Sequence, residues 1–175
     1  MVIIGIDPGI ATTGYGVIEA PFLKLGRENI NLKIKKNLKK IKNFACLDYG
    51  LIKTRPSLTP AERLCELNAG LDRLMKKYRP EVLAVENVYF FKNLKTAIPV
   101  AQAKGVILLT AAKKGIPVFE LTPLQVKMTI TGYGRAEKKQ VQKMIKVLLR
   151  LKEIPTPDDA ADALGIAICC GLGIK

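Results

Sequence analysis

The chain has 175 residues, 49% of them hydrophobic and 25% charged, a balance that fits one folded globular domain and excludes a disordered or fibrous chain. Lys and Arg number 29 against 15 Asp and Glu, a net charge of +14 that draws polyanions, nucleic acid foremost. Histidine is absent, which excludes Ser-His-Asp and Cys-His triads, His-ligated zinc and imidazole bases, and leaves chemistry to carboxylates, lysines, hydroxyls, thiols or a metal.

Residues 2 to 6, VIIGI, form a short β-branched apolar run closed by Asp7-Pro8-Gly9, and Gly14 to Ile18 follows as a second strand. A third strand is expected over Phe44 to Lys53. Between the second and third, residues 24–42 carry Lys24, Arg27, Lys33, Lys35, Lys36, Lys39, Lys40 and Lys42 against Glu28 alone. This basic segment reads either as a solvated hairpin insertion or as a nucleic-acid arm, and the alternation of Ile30, Leu32 and Ile34 favours the insertion slightly. Thr59-Pro60-Ala61-Glu62 is a capping box with proline at the first helical position, and Leu64, Leu67, Leu71, Leu74 and Tyr78 repeat at helical spacing, which predicts a helix over 60–78. Val82 to Glu86 is then a strand, reached by a crossover that lays it parallel to an earlier one. Helices are expected near 97–114 and 136–151, a strand over Pro117 to Leu121, a short helix after Thr122-Pro123, and a last helix from Ala160 to about Cys170. Strands early and helices interleaved later give an α/β class with a mixed sheet, in a single domain spanning residues 1–175.

The four cysteines, Cys46, Cys65, Cys169 and Cys170, have no C-x-x-C spacing and are expected to be reduced and mostly buried. The chain enters Val2-Ile3-Ile4 without a basic lead, and no apolar run approaches the ~20 residues that span a bilayer, so a cytoplasmic protein without membrane contact is expected.

Two carboxylates stand where apolar strands end. Alternation puts Asp7 on the face of Ile3 and Gly5, and Glu86 on the face of Val82 and Ala84. If their strands are parallel neighbours, both emerge at the sheet edge where α/β proteins place ligands. Each could instead be a strand-end charge in solvent, a reading that serves one such residue better than two. Asp159 and Asp162 lie three apart at the start of the last helix and share a face, with Asp158 before them in a cap-like position. Capping and the helix dipole explain Asp158 but not Asp162, which sits among Ala160, Ala161, Ala163, Leu164 and Ile166. Carboxylates converging in a basic protein repel one another and any polyanion. Bound Mg²⁺ or Mn²⁺ resolves both conflicts, because a hard ion takes oxygen ligands and bridges to phosphate. Two such ions can serve the two sides of a phosphodiester.

GIDPG with TGYGV, then VEN, AQAKG, QVK, GYGRAEKKQVQ and DDAADALGIAI, in this order and over nearly the whole chain apart from the segment near 24–42, resemble the RuvC family of Holliday junction resolvases. The resemblance implies a ribonuclease-H-like fold, a five-stranded mixed sheet flanked by helices, in a homodimer that nicks four-way DNA junctions symmetrically during recombination and repair. It places the catalytic, metal-holding acids on Asp7, Glu86, Asp159 and Asp162, with two Mg²⁺ per active site and Mn²⁺ as a substitute. It also makes Lys127 and Lys138 phosphate or transition-state contacts, Tyr89 a base-stacking residue, the helix near 97–114 the dimer helix, and a branch-migration complex a candidate partner. Val106 to Leu109 could equally serve to cover the sheet. An actin-like ATPase is disfavoured, because no phosphate loop of the G-x-x-x-x-G-K-[ST] or G-x-G-x-x-G kind is present and the chain has no room for a second lobe. A non-catalytic junction-binding module, or a nuclease for RNA hybrids or other branched DNA, are the remaining alternatives.

Overall fold

The computed structural model describes residues 1–21, 44–87 and 94–173, the side chains of 94–96 excepted. The segment near 24–42 and Tyr89 lie outside the described residues.

Strands β1 (Val2–Asp7), β2 (Thr12–Glu19) and β3 (Ala45–Lys53) form an antiparallel meander. Helix α1 (Pro60–Tyr78) then crosses over to β4 (Val82–Glu86), which pairs parallel with β1, and α2 (Leu94–Lys113) crosses to β5 (Val118–Leu121), parallel with β4. The result is a five-stranded mixed sheet in the order β3-β2-β1-β4-β5. Three helices follow: α3 (Pro123–Thr131), α4 (Lys138–Leu148) and α5 (Asp158–Gly171).

Local chemistry accounts for the element ends. The Thr59–Glu62 capping box starts α1, and a second box, Thr122 with Gln125, starts α3 with Pro123 in its first turn. Two expectations shift. Helix α2 begins earlier than residue 97, and Asp158 is the first residue of α5 rather than its cap, because Pro157 occupies the N-cap. All four cysteines are free, but only Cys169 and Cys170 are buried; Cys46 is half-buried and Cys65 exposed.

Alternation along β1 divides the core. Ile3 faces a cluster with α3, α4 and α5, while Ile4 and Ile6 face a cluster with α1 and α2. Helix α2 covers the sheet through Ala103, Ile107 and Ala111, yet leaves Ile98 and Leu109 exposed. Helix α5 lies directly against the strands. A side chain at Gly5 would collide with the Ala163 carbonyl, and one at Gly14 with the Asp159 carbonyl. Only glycine permits that approach, and it sets the start of α5 beside the ends of β1 and β2.

Candidate active site

The register brings the strand-end acids together. Ile6 pairs with Val85, so Asp7 and Glu86 are the next residues out of two parallel neighbours, and both leave the sheet at its carboxyl edge. Their side chains share the face of Ile3, Val82 and Ala84, which is the face α5 covers. Helix α5 contributes Asp159 and Asp162 to the same edge, close enough that both carboxylates act electrostatically on Asp7.

The field at this edge is strongly negative. Burial, followed by repulsion from Glu86, Asp162 and Asp159, pushes the Asp7 carboxyl up to about 8. Burial and Asp162 push Glu86 up to about 7. Asp162 is raised by burial, an effect opposed by its hydrogen bond from Lys138. Lys138, the first residue of α4, donates from Nζ to Asp162 at 3.0 Å and to Asp158 at 3.3 Å. Burial disfavours its charge, but these bonds outweigh that and raise its pKa. Lys127 on α3 lines the same cleft as Glu86, Lys138 and Asp162, over a floor of Val126, Val141 and Ile166. Of the seven expected site residues, six are therefore gathered here, and Tyr89 is outside the described residues.

Supporting contacts that the sequence did not disclose complete the edge. The Thr12 hydroxyl donates to Asp159 at 3.0 Å, and the Gln142 amide to Asp158 at 2.9 Å. Gln142 lies one turn beyond Lys138 on α4, an i,i+4 spacing that offers a sequence signal for their shared partner. Thr12 offers none, since only the hairpin places it near α5. Behind Glu86, Lys104 of α2 donates to the Asn87 side-chain oxygen at 3.0 Å and pairs with Glu120 at 2.6 Å.

Four carboxylates with no nitrogen or sulfur donor among them are the ligand chemistry of a hard divalent cation. Among the described residues no three acidic or cysteine side chains are already gathered into an ion cage. What unites the four acids is proximity within one another's field, and that repulsion is what a divalent cation would relieve. The donor set thus fits Mg²⁺ or Mn²⁺.

A family model described as Crossover junction endodeoxyribonuclease RuvC matches residues 26–170. The chain belongs to the RuvC family. The crossover junction endodeoxyribonuclease RuvC of Pelotomaculum thermopropionicum is 47% identical over 169 residues, covering 97% of this chain and 92% of that protein. The RuvC of Caldicellulosiruptor saccharolyticus is 48% identical over 169 residues, covering 97% and 91%. Among solved structures, Thermus thermophilus RuvC superposes with a TM-score of 0.80 at 33% identity, covering 98% of this chain and 94% of the other. The same protein in complex with a Holliday junction substrate gives 0.79 at 34% identity, covering 97% and 92%. The yeast mitochondrial Holliday junction resolvase, 13% identical with a TM-score of 0.63, shares the fold. The expected ribonuclease-H-like resolvase architecture is thus the architecture observed. No helix among the described residues is long and apolar enough to cross a membrane.

Proposed function

We propose that this RuvC-family chain resolves four-way DNA junctions in recombination and repair, as a single nuclease domain whose catalytic acids are Asp7, Glu86, Asp159 and Asp162. The observation that carries the reading is the convergence of these four carboxylates, from three separated stretches of chain, on one sheet edge where Asp7 feels the other three. A phosphodiester has no reason to approach such an edge unless the charge is neutralised there. Bound at these acids, two Mg²⁺ ions, or Mn²⁺ in their place, would supply an activated water and charge stabilisation for the leaving oxygen.

The protein's own groups have distinct tasks. Asp7, which feels the other three acids, would hold the ions together with Glu86 and Asp162, and Asp159, held in orientation by Thr12, would help to hold them. Lys127 and Lys138 line the cleft as cations for the scissile phosphate, where charge develops during cleavage. Tyr89, on the stretch following Glu86, is assigned to a base beside the crossover. The exposed Ile98 and Leu109 recur on one side of α2, which suits an isologous interface, and a homodimer matches the two-fold symmetry of a junction cut on paired strands.

The test is incubation with a mobile synthetic four-way junction, beside linear duplex and an RNA–DNA hybrid, with Mg²⁺ or with chelator. Paired, symmetric nicks leaving 5′-phosphate and 3′-hydroxyl, confined to the junction and dependent on the metal, are expected. Equal cutting of duplex or hybrid overturns the substrate assignment, and cutting that survives the chelator overturns the metal assignment.

A further inference from the structure

Helix α4 begins in the active site with Lys138, but most of its charge faces elsewhere. Between Gly132 and Lys152 the chain carries seven cations and one acid, Glu137. Lys139, Lys143 and Lys146 fall within ~60° of one another in projection, a single stripe about 110° around the helix from Lys138. Lys139 and Lys143 are exposed and Lys146 is half-buried. The other side of α4 is anchored by Val141, Gln142 and Ile145, all buried, so the stripe cannot turn inward.

The stripe is not neutralised as many lysines of the fold are, and unlike Lys53, Lys113, Lys127 and Lys152, which also lack a carboxylate partner among the described residues, its members stand together on one helix face. Lys76, Lys77, Lys104, Lys114 and Lys138 each have a carboxylate partner. Among the described residues Lys139, Lys143 and Lys146 have none. Like charges four and three residues apart on one helix repel by a few tenths of a kcal/mol each, so the arrangement weakens α4 unless an anion lies along it.

We propose that this face of α4 is the track for the phosphate backbone of one duplex arm as it leaves the active site. The inference rests on the junction-nuclease reading above and adds the path of the substrate outside the catalytic cleft. Geometry selects a polyanion with regular spacing. From Lys139 to Lys146 the helix rises ~10 Å, and a DNA strand presents a charge every ~3.4 Å along its axis, so the stripe spans about three phosphates. The stripe starts one residue from Lys138, which already lies in the cleft with the acids, so a strand held there continues past these lysines without a gap. Tyr133, also exposed, lines a shallow depression with Lys143 and Met144 beside the stripe, an aromatic surface for the sugar or an unstacked base of the same arm.

The test is the salt dependence of junction binding, read by fluorescence anisotropy in chelator so that nothing is cut. In the variant carrying Lys139→Gln, Lys143→Gln and Lys146→Gln, the slope of log Kd against log salt should fall in magnitude by about 2 to 3, near 0.9 for each phosphate that is no longer neutralised. A charge-matched control, Lys53→Gln with Lys76→Gln and Lys113→Gln, should change it by less than about 1. Neutral methylphosphonates replacing three consecutive phosphates on one side of the cut should lower the slope of the wild type but not of the stripe variant. An unchanged slope in the stripe variant, or an equal loss in the control, overturns the track while leaving the nuclease reading intact. A wild-type protein that binds no junction at any salt overturns both.

Discussion

Two regions of the molecule are built around carboxylates, and they are built in opposite ways. At the outer edge of the sheet, Asp48 of β3 is alone among donors. The Tyr78 hydroxyl donates to it, Lys77 reaches it at 3.5 Å, Tyr15 at 3.4 Å, and the Tyr49 amide at 2.9 Å. At the other region, among the described residues, the side-chain bonds to Asp7, Glu86, Asp159 and Asp162 come from one ammonium, Lys138 to Asp162, and one hydroxyl, Thr12 to Asp159, while Lys127 only lines the cleft. Where donors outnumber acceptors, a carboxylate fastens α1 to the sheet. Where acceptors outnumber donors, charge is left for something from outside to complete, at a cost to the fold that a purely structural cluster has no reason to bear.

The sharpest way to break this contrast is to exchange one acid from each region for its amide. Asp7→Asn should lower junction cleavage by about 10³-fold or more, since the acid that feels the other three is lost, while junction binding measured by gel shift persists. Asp48→Asn should leave cleavage per folded molecule unchanged. If Asp7→Asn nicks at the wild-type rate, the acid-rich edge is not the catalytic one.

A second test uses stability alone, with no substrate present. Asp7 is raised from 3.8 to about 8, and Glu86 from 4.5 to about 7. A folded-state pKa above the unfolded one means that the folded form holds the proton more tightly. The stability this brings is complete below about pH 4 and is lost as the pH rises through about 7 to 8. In chelator the melting temperature should therefore fall between pH 5 and pH 8.5. Added Mg²⁺ should restore it at the alkaline end by binding the folded state alone, and Asp7→Asn should flatten both the fall and the rescue. A wild-type profile insensitive to Mg²⁺ would mean that the four acids hold no ion.

The same contrast explains how much of the site is legible in the sequence alone. Strand-end carboxylates stand out because period-two alternation assigns each residue a face, so Asp7 and Glu86 are legible as a pair once the crossover is inferred. Asp162 is legible because its neighbours on α5 are alanine, leucine and isoleucine. The element order follows from capping boxes and apolar periodicity, which are local signals. What escapes are contacts made across long sequence separations by ordinary residues. Thr12 reaches Asp159 over 147 positions, and Gly14 matters because a helix backbone lies on it, which no local pattern reveals. The Asp48 cluster is equally silent, since two tyrosines and a lysine acquire their common partner only after α1 docks. Asp158 looks like a cap because acids usually serve there; proline at the N-cap frees it to accept from Gln142 and Lys138 instead.

At the donor-rich edge the expected effect is moderate and purely structural. Asp48→Ala removes the acceptor for two hydroxyls and an ammonium, and should cost about 1–3 kcal/mol, read as a lower denaturation midpoint with an unchanged slope. The loss stays in this range because Asp48 is partly exposed and water can reach the groups it abandons. A cost near zero would show that the tyrosines hold α1 by packing alone.

The smallest effect is expected behind Glu86, at the end of β4. Lys104, with a side chain only 14% exposed, neutralises Glu120 and hydrogen-bonds Asn87, the residue directly after Glu86. It touches none of the four acids, so its influence on them passes through the backbone at the end of β4, where the Asn87 amide also bonds the Leu121 carbonyl at 2.7 Å. Lys104→Met keeps the packing of the stem while releasing Asn87. It should raise the Mg²⁺ concentration for half-maximal cleavage by roughly 3- to 10-fold, below the 10–100-fold typical of groups bonded directly to a ligand. The maximal rate should change little, and Lys104→Arg should recover most of the loss because it restores both the charge and a donor. A fall in maximal rate with no change in Mg²⁺ dependence would instead place Lys104 on the substrate side of the site.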